Sequence, residues 1–174
     1  MNFIKPEEII DDLPLEKGMA AADFGCGSGG WVIPLSKKLE DGIVYAVDLL
    51  EEPLSALRGK VERESISNIK IIRENIEEGT EIRSDSVDLV LMTNFLFQVE
   101  DRKKVFSEAE RILRTDGILL VVEWRLDSTL APSIAKIGPE EVKGLAEEAG
   151  FKLEEEFQAG MHHYGFIYKK KKNE

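Results

Sequence analysis

At 174 residues, 43% of them hydrophobic, the chain has apolar material for one sizeable core and too little length for two ordinary domains, so a single domain over 1–174 is expected. Its 34 acidic residues against 23 basic give a formal charge of −11, which repels a phosphate backbone and argues against nucleic-acid partners. One cysteine excludes an internal disulfide, and two adjacent histidines, His162 and His163, give no zinc spacing, so no metal is expected.

The first residues, Met1-Asn2-Phe3-Ile4-Lys5-Pro6-Glu7-Glu8, lack the pattern of a secretion signal, and a cytoplasmic location is expected. Within an N-terminal helical segment over 1–14, a short amphipathic helix is predicted for 3–13, with Pro6 at its start and Ile9, Ile10 and Leu13 on one side. Apolar runs at 19–24, 43–47, 69–72, 87–92 and 118–122, each bounded by Gly, Asp or Asn, read as strands buried on both faces. The longest such stretch, 87–99, is broken by Asp88, Thr93, Asn94 and Gln98, and is too short to cross a membrane, which takes about 18 apolar residues. Helical spacing fills the gaps at 31–39, 53–65 and 102–113, where Val105, Phe106, Ala109, Ile112 and Leu113 share a face. Alternating strands and helices predict a doubly wound parallel α/β sheet with helices on both sides.

After Trp124 the rhythm changes, with a loop over 127–137, a helix opening at Pro139-Glu140-Glu141 and closing at Gly150, and an antiparallel pair at 151–157 and 164–169 turning near Gly160. The final basic run, Lys169-Lys170-Lys171-Lys172 within 169–174, reads as a solvated tail without function.

The loop after the first strand, Asp23-Phe24-Gly25-Cys26-Gly27-Ser28-Gly29-Gly30, places Gly25, Gly27 and Gly30 at G-x-G-x-x-G spacing, and Asp48 ends the second strand where a ribose hydroxyl would be gripped. Glycines that let backbone approach a ligand serve any adenosine cofactor, so the spacing leaves a nicotinamide dinucleotide and a methyl donor both open. The charge of Asp23 separates them: it would repel a pyrophosphate and attract a ligand arm that carries an ammonium and a sulfonium.

These residues resemble the class I S-adenosylmethionine-dependent methyltransferase superfamily, over nearly the whole chain from about residue 3 to 170. The matching stretches are the glycine loop, Asp48, Asn75-Ile76, Ser86-Val87-Asp88-Leu89-Val90-Leu91-Met92-Thr93-Asn94, and Glu108-Ala109-Glu110-Arg111-Ile112-Leu113-Arg114-Thr115-Asp116-Gly117. The resemblance implies a Rossmann-like, seven-stranded, mostly parallel sheet in order 3-2-1-4-5-7-6 with strand 7 antiparallel. It implies S-adenosyl-L-methionine as cofactor and S-adenosyl-L-homocysteine as product. It also implies that Asp23, Phe24, Gly25, Cys26 and Gly27 hold the methionine arm and Asp48 the ribose, that Leu49 and Ile76 lie at the adenine with Asn75 facing the exocyclic amine, and that Asn94 lies beneath the sulfonium and the incoming nucleophile as a catalytic residue. Asn75 departs from the pattern, since many relatives carry Asp there.

In-line displacement at a sulfonium methyl asks mostly for alignment and exclusion of water, so a base is optional. The candidates for one are Glu123, at the end of the fifth strand, and His162 or His163 in the final turn; Glu123 also reads as a solvent-facing carboxylate. Trp31, Phe95, Phe97 and Trp124 are candidates for a pocket wall or for core, and Cys26 for a small spacer. The sequence Thr93-Asn94-Phe95-Leu96 lacks the Pro-Pro-aromatic motif of amino-methylating DNA enzymes, the paired glutamates of protein-arginine enzymes are missing, and a single cysteine argues against the arsenite branch. A small-molecule acceptor is expected, resembling the quinone-precursor group. The short chain offers only 1–13 and 127–137 as cover, so the pocket is expected to be open or completed by a second subunit. A cofactor-binding regulatory or scaffolding protein without transfer activity is the alternative.

Overall fold

Runs of small and branched apolar residues, each followed by a glycine or an acidic residue, become the central strands of a sheet buried on both faces. The computed structural model of the chain describes residues 4–134 and 136–172; residues 1–3 and 173–174 of the expected terminal segments, and Ala135 of the expected loop, lie outside them. In chain order the elements are α1 (Pro6–Asp12), β1 (Ala20–Phe24), α2 (Val32–Lys38), β2 (Ile43–Asp48), α3 (Glu51–Arg63), β3 (Ile69–Arg73), β4 (Val87–Thr93), α4 (Arg102–Ile112), β5 (Leu113–Trp124), α5 (Pro139–Glu148), β6 (Phe151–Ala159) and β7 (His163–Lys170), with 3-10 turns at Ile76–Glu78 and Leu96–Gln98.

The sheet runs β3-β2-β1-β4-β5-β7-β6. Strands β1 to β5 pair in parallel and β7 runs antiparallel to both of its neighbours, as the resemblance implied. Period-two alternation sorts the side chains into two cores. Phe24, Met92, Val121 and Phe166 face α4 and α5, where they meet Phe106 and Val142. Ala21, Ala46, Leu91 and Val122 face the other layer, where they meet Ile10, Leu35 and Leu54 of α1, α2 and α3. No helix among the described residues is long and apolar enough to cross a membrane.

Two expectations change in detail. Strand β5 begins at Leu113 rather than 118, because Val87 pairs with Leu113 before the register shifts to Leu89 and Ile118, with Asp116 at φ 64° in the bulge. The stretch from Glu108 to Arg111 acts as a clamp: Glu108 Oε1 accepts from Thr80 N at 2.8 Å and Thr80 Oγ1 at 2.6 Å, and Arg111 donates to Thr80 O and Ile82 O at 3.2 and 2.8 Å.

The basic tail is the second change. Lys169 and Lys170 belong to β7, and Lys170 is buried, its Nζ donating to Glu110 O and Leu113 O at 2.8 Å each and to Asp85 Oδ1 at 3.0 Å. A lysine stem crosses apolar surface readily, and here the ammonium satisfies two carbonyls where α4 gives way to β5. Lys170→Met, which keeps the stem and removes the donors, is expected to cost about 1–3 kcal/mol. At roughly 2–4 °C per kcal/mol for a chain of this size, thermal unfolding followed by circular dichroism will show the drop; an unchanged midpoint would mean that the carbonyls find water instead.

Candidate functional site

The chain runs outward from β1 through β2 to β3 and then returns to lay β4 on the other side of β1, and in open parallel sheets this reversal leaves a crevice beyond the carboxyl ends of the strands. The chain leaving β1 is folded into that crevice by hydrogen bonds to the end of β2. Gly25 and Cys26 both donate backbone N–H to Val47 O, at 2.8 and 3.1 Å. Gly27 donates to Asp48 Oδ2 at 2.9 Å, and Leu50 donates to Asp48 Oδ1 at 2.9 Å. From the outer side, Lys60 Nζ donates to Ser28 O at 2.7 Å. Two glycines are required on different grounds. Gly25 has φ 73°, and a Cβ there would collide with the Phe95 ring; Gly27 has φ 54° and no atom within 4 Å of where its Cβ would stand, so only the backbone conformation demands glycine.

The loop borders a cavity of about 510 Å³. The first wall is Gly25, Cys26, Gly27 and Trp31, and the second is Asp48, Leu49, Leu50 and Pro53. The third is residues 74–77, and the fourth comprises Thr93, Asn94, Phe95, Gln98 and Val99. Of the residues expected to hold the cofactor, Gly25, Cys26, Gly27, Asp48, Leu49, Asn75, Ile76 and Asn94 are thus brought together. Asp23 and Phe24 do not line the cavity: Asp23 is buried beside the loop, and the Phe24 ring is fully buried in the core on the α4 and α5 side, because strand alternation turns it away from Asp23.

Asp23 is buried under the loop, and neither of its carboxylate oxygens has a hydrogen-bond partner. Burial, and after it the charge of Asp48, pushes the Asp23 carboxyl well above the usual carboxylate range. A buried acid beside a second acid, with no cation of its own, suits an incoming positive group. Burial also pushes up the Cys26 thiol, which keeps it protonated and makes it a small wall residue.

Asn75 caps the 3-10 turn that follows β3, its Oδ1 accepting from Glu77 N at 3.1 Å, so one lone pair is already used. Asn94 takes the left-handed conformation at φ 50°, and its buried Oδ1 has no partner. Sequence reasoning missed Leu50, Pro53, Glu74, Glu77, Gln98 and Val99; the one signal available for them was position, since each lies within a few residues of the end of β2, β3 or β4.

The three candidate bases are not at this cavity. Glu123 is buried rather than solvent-facing, and its Oε1 accepts from Phe95 N and Leu96 N at 2.7 and 2.6 Å. Burial pushes the Glu123 carboxyl up to about 7 against the pull of those N–H donors. His162 lies in the turn between β6 and β7, with Nδ1 3.1 Å from Ser128 Oγ and its carbonyl accepting from Arg125 N at 2.8 Å. His163 stacks on Trp124 with ring centroids 4.0 Å apart, and burial lowers its pKa to about 4, so it is neutral. The expected cover also lies elsewhere: α1 packs on the flank of the sheet through Ile10, and none of the described residues of loop 127–137 lines the cavity. That loop borders a second cavity of about 470 Å³, where Leu126, Pro139, Phe157 and Tyr164 supply apolar surface.

A family profile described as a methyltransferase domain matches residues 22–121. The chain is 30% identical over 118 residues to a demethylmenaquinone methyltransferase of Staphylococcus aureus, a match covering 67% of this chain and 48% of that protein. The chain spans about half the length of the curated relatives it matches. Among solved structures, it resembles a SAM-dependent methyltransferase from Aquifex aeolicus with TM-score 0.89 and 22% identity, over 97% of this chain and 90% of that one. A putative type 11 methyltransferase from Sulfolobus solfataricus gives TM-score 0.77 and 26% identity, over 99% and 95%. With its sheet order, its glycine loop and a profile match over more than half its length, the chain belongs to the methyltransferase-domain family, within the class I S-adenosylmethionine-dependent superfamily.

Proposed function

We propose that the chain binds S-adenosyl-L-methionine at the glycine loop and transfers its methyl group to a small, uncharged acceptor. The observation that carries this reading is Asp23, a buried carboxyl without a partner under a loop of open backbone. Asp23 would take the α-ammonium, and the backbone of Gly25, Cys26 and Gly27 would take the rest of the methionine arm. Asp48 uses one lone pair on each oxygen for Gly27 and Leu50, which leaves the others for the ribose hydroxyls. Leu49 and Ile76 would cover the adenine, and the second lone pair of Asn75 Oδ1 would receive its amine. When bound, the cofactor supplies an electrophilic methyl on a positive sulfur, and S-adenosyl-L-homocysteine is left.

The chain contributes alignment and dryness: Trp31, Phe95 and Val99 wall the cavity, and Asn94 presents an unpartnered amide oxygen at its edge. With Glu123 committed to backbone and His162 and His163 outside the cavity, the arrangement supports an acceptor that arrives with a ready nucleophile. Apolar chemistry is supported by Leu126, Leu130 and Ile134, all exposed in the loop beside the second cavity. Demethylmenaquinone, named in the relatives, is the first acceptor to try, reduced to its hydroquinone, whose electron-rich ring carbon can take the methyl and lose its proton to solvent. Regulation through cofactor binding alone is the second reading, favoured by a cavity that none of the described residues of 4–13 or 127–137 lines.

Isothermal titration should show S-adenosylmethionine and S-adenosylhomocysteine bound and NADH not; binding of NADH alone would overturn the reading. Incubation with methyl-labelled cofactor and demethylmenaquinone reduced to its hydroquinone, then with a metabolite extract, should yield a labelled product, and none at all with binding confirmed would favour the regulatory role. Asp48→Ala should weaken binding of S-adenosylhomocysteine by about 1–3 kcal/mol, the cost of unpaired polar groups.

Asp23→Asn should lose about 1.5–3 kcal/mol of cofactor affinity, the range for charge-assisted bonds, yet stabilise the ligand-free protein. The sign follows from linkage: a carboxyl with a raised folded pKa binds more protons folded than unfolded, so stability is lost as pH climbs from the ordinary carboxylate range toward the raised value. Urea unfolding of both proteins should therefore agree near pH 4 and diverge by pH 8 in favour of Asp23→Asn. Parallel curves at both pH values would contradict a buried acid at this position.

A further inference from the structure

The pairing of β4 with β5 ends at Thr93 and Val122, after which Asn94 donates one last backbone N–H to Val122 O at 2.8 Å. The chain then turns away at Asn94 with φ 50°, which takes the next two N–H groups, on Phe95 and Leu96, out of the ladder in a buried setting. Glu123, the next residue along β5, collects both on one oxygen. The carbonyl groups of the same turn are held from above: Asn94 O accepts from Gln98 Nε2 at 3.1 Å, and Leu96 O accepts from Arg102 Nε at 2.9 Å. Glu123 thus brings a side chain to this turn from the neighbouring strand.

We propose that Glu123 is a positioning residue: by holding the backbone of Phe95 and Leu96 it fixes the fourth wall of the cofactor cavity. The consequences lie on the far side of the turn. Phe95 packs its ring against the Cα of Gly25 so closely that no side chain fits between them, and Asn94 and Phe95 both line the cavity. A shift of the turn therefore moves the glycine loop and the amide of Asn94 together. Glu123 itself does not line the cavity, and, unlike Asp23, it already spends one oxygen on two backbone N–H groups. Its shift toward neutrality fits this role, because Oε1 of a carboxylic acid, like that of an amide, still accepts an N–H. The inference rests on the cofactor reading above for what fills the cavity.

Glutamine separates positioning from proton transfer, since it keeps the accepting oxygen and cannot act as a base. Amide hydrogen exchange at Phe95 and Leu96 and titration with S-adenosylhomocysteine are to be measured for the wild type, Glu123→Gln and Glu123→Ala. In Glu123→Ala both amides should exchange roughly tenfold faster or more, and the Kd should rise about fivefold or more; in Glu123→Gln both quantities should stay within about twofold of the wild type. If Glu123→Ala does not fold, Glu123→Asp, with its oxygens withdrawn by one methylene, is expected to show the same losses. Wild-type affinity together with protected amides in Glu123→Ala or Glu123→Asp overturns the proposal, as does a Glu123→Gln protein as defective as Glu123→Ala. A wild type that fails to bind S-adenosylhomocysteine rejects the cofactor reading, and the exchange rates then decide for or against the brace by themselves.

Discussion

The carboxyl end of β2 is the point on which the site depends. Val47 O receives two backbone donors from the loop after β1, and the Asp48 side chain receives one donor from that loop and one from its own exit toward α3. These bonds hold open a glycine turn that has no side chains to pack, and they set its distance from Phe95 on the opposite wall. Without them, the entropy of so many glycines would leave the loop without a fixed shape.

The same arrangement concentrates acid where the protein has least to neutralise it. Asp23 is buried with no partner and Glu123 is buried with only backbone donors on one oxygen, while the basic residues of the crevice are used at its rim, Lys60 on Ser28 O and Arg102 on Leu96 O. Buried carboxyls of this kind weaken a folded domain, and they persist where a ligand or a backbone turn needs them. In the proposed reading Asp23 answers to the first need and Glu123 to the second, although both stand at strand ends and look alike in sequence.

Much of the fold was legible because strands buried on both faces announce themselves as apolar runs, and the turn chemistry between them is carried by local residues such as Gly25, Asn75 and Pro139. Elements whose signal is not local were misjudged. Lys170 looked like tail because a lysine run is normally solvated; it is buried because carbonyls sixty and fifty-seven residues earlier, at Glu110 and Leu113, lie against the last strand. Phe24 sat inside the glycine motif yet faces the other core, a matter of strand phase relative to a layer the sequence does not display. Glu123 and His162 drew attention as titratable groups at the right edge of the sheet, but what they touch is set by Phe95, Leu96 and Ser128.

By itself, the sequence determined the alternation of strand and helix, the glycine turn, and the acidic pair Asp23 and Asp48 that suits a cationic adenosine ligand, because each is written in neighbouring residues and in charge. Only the tertiary structure decided which acid stays without a partner and which accepts backbone N–H groups of the cavity's fourth wall. That choice depends on the register between β4 and β5 and on the left-handed turn at Asn94, which together bring two backbone donors over Glu123 and leave Asp23 alone.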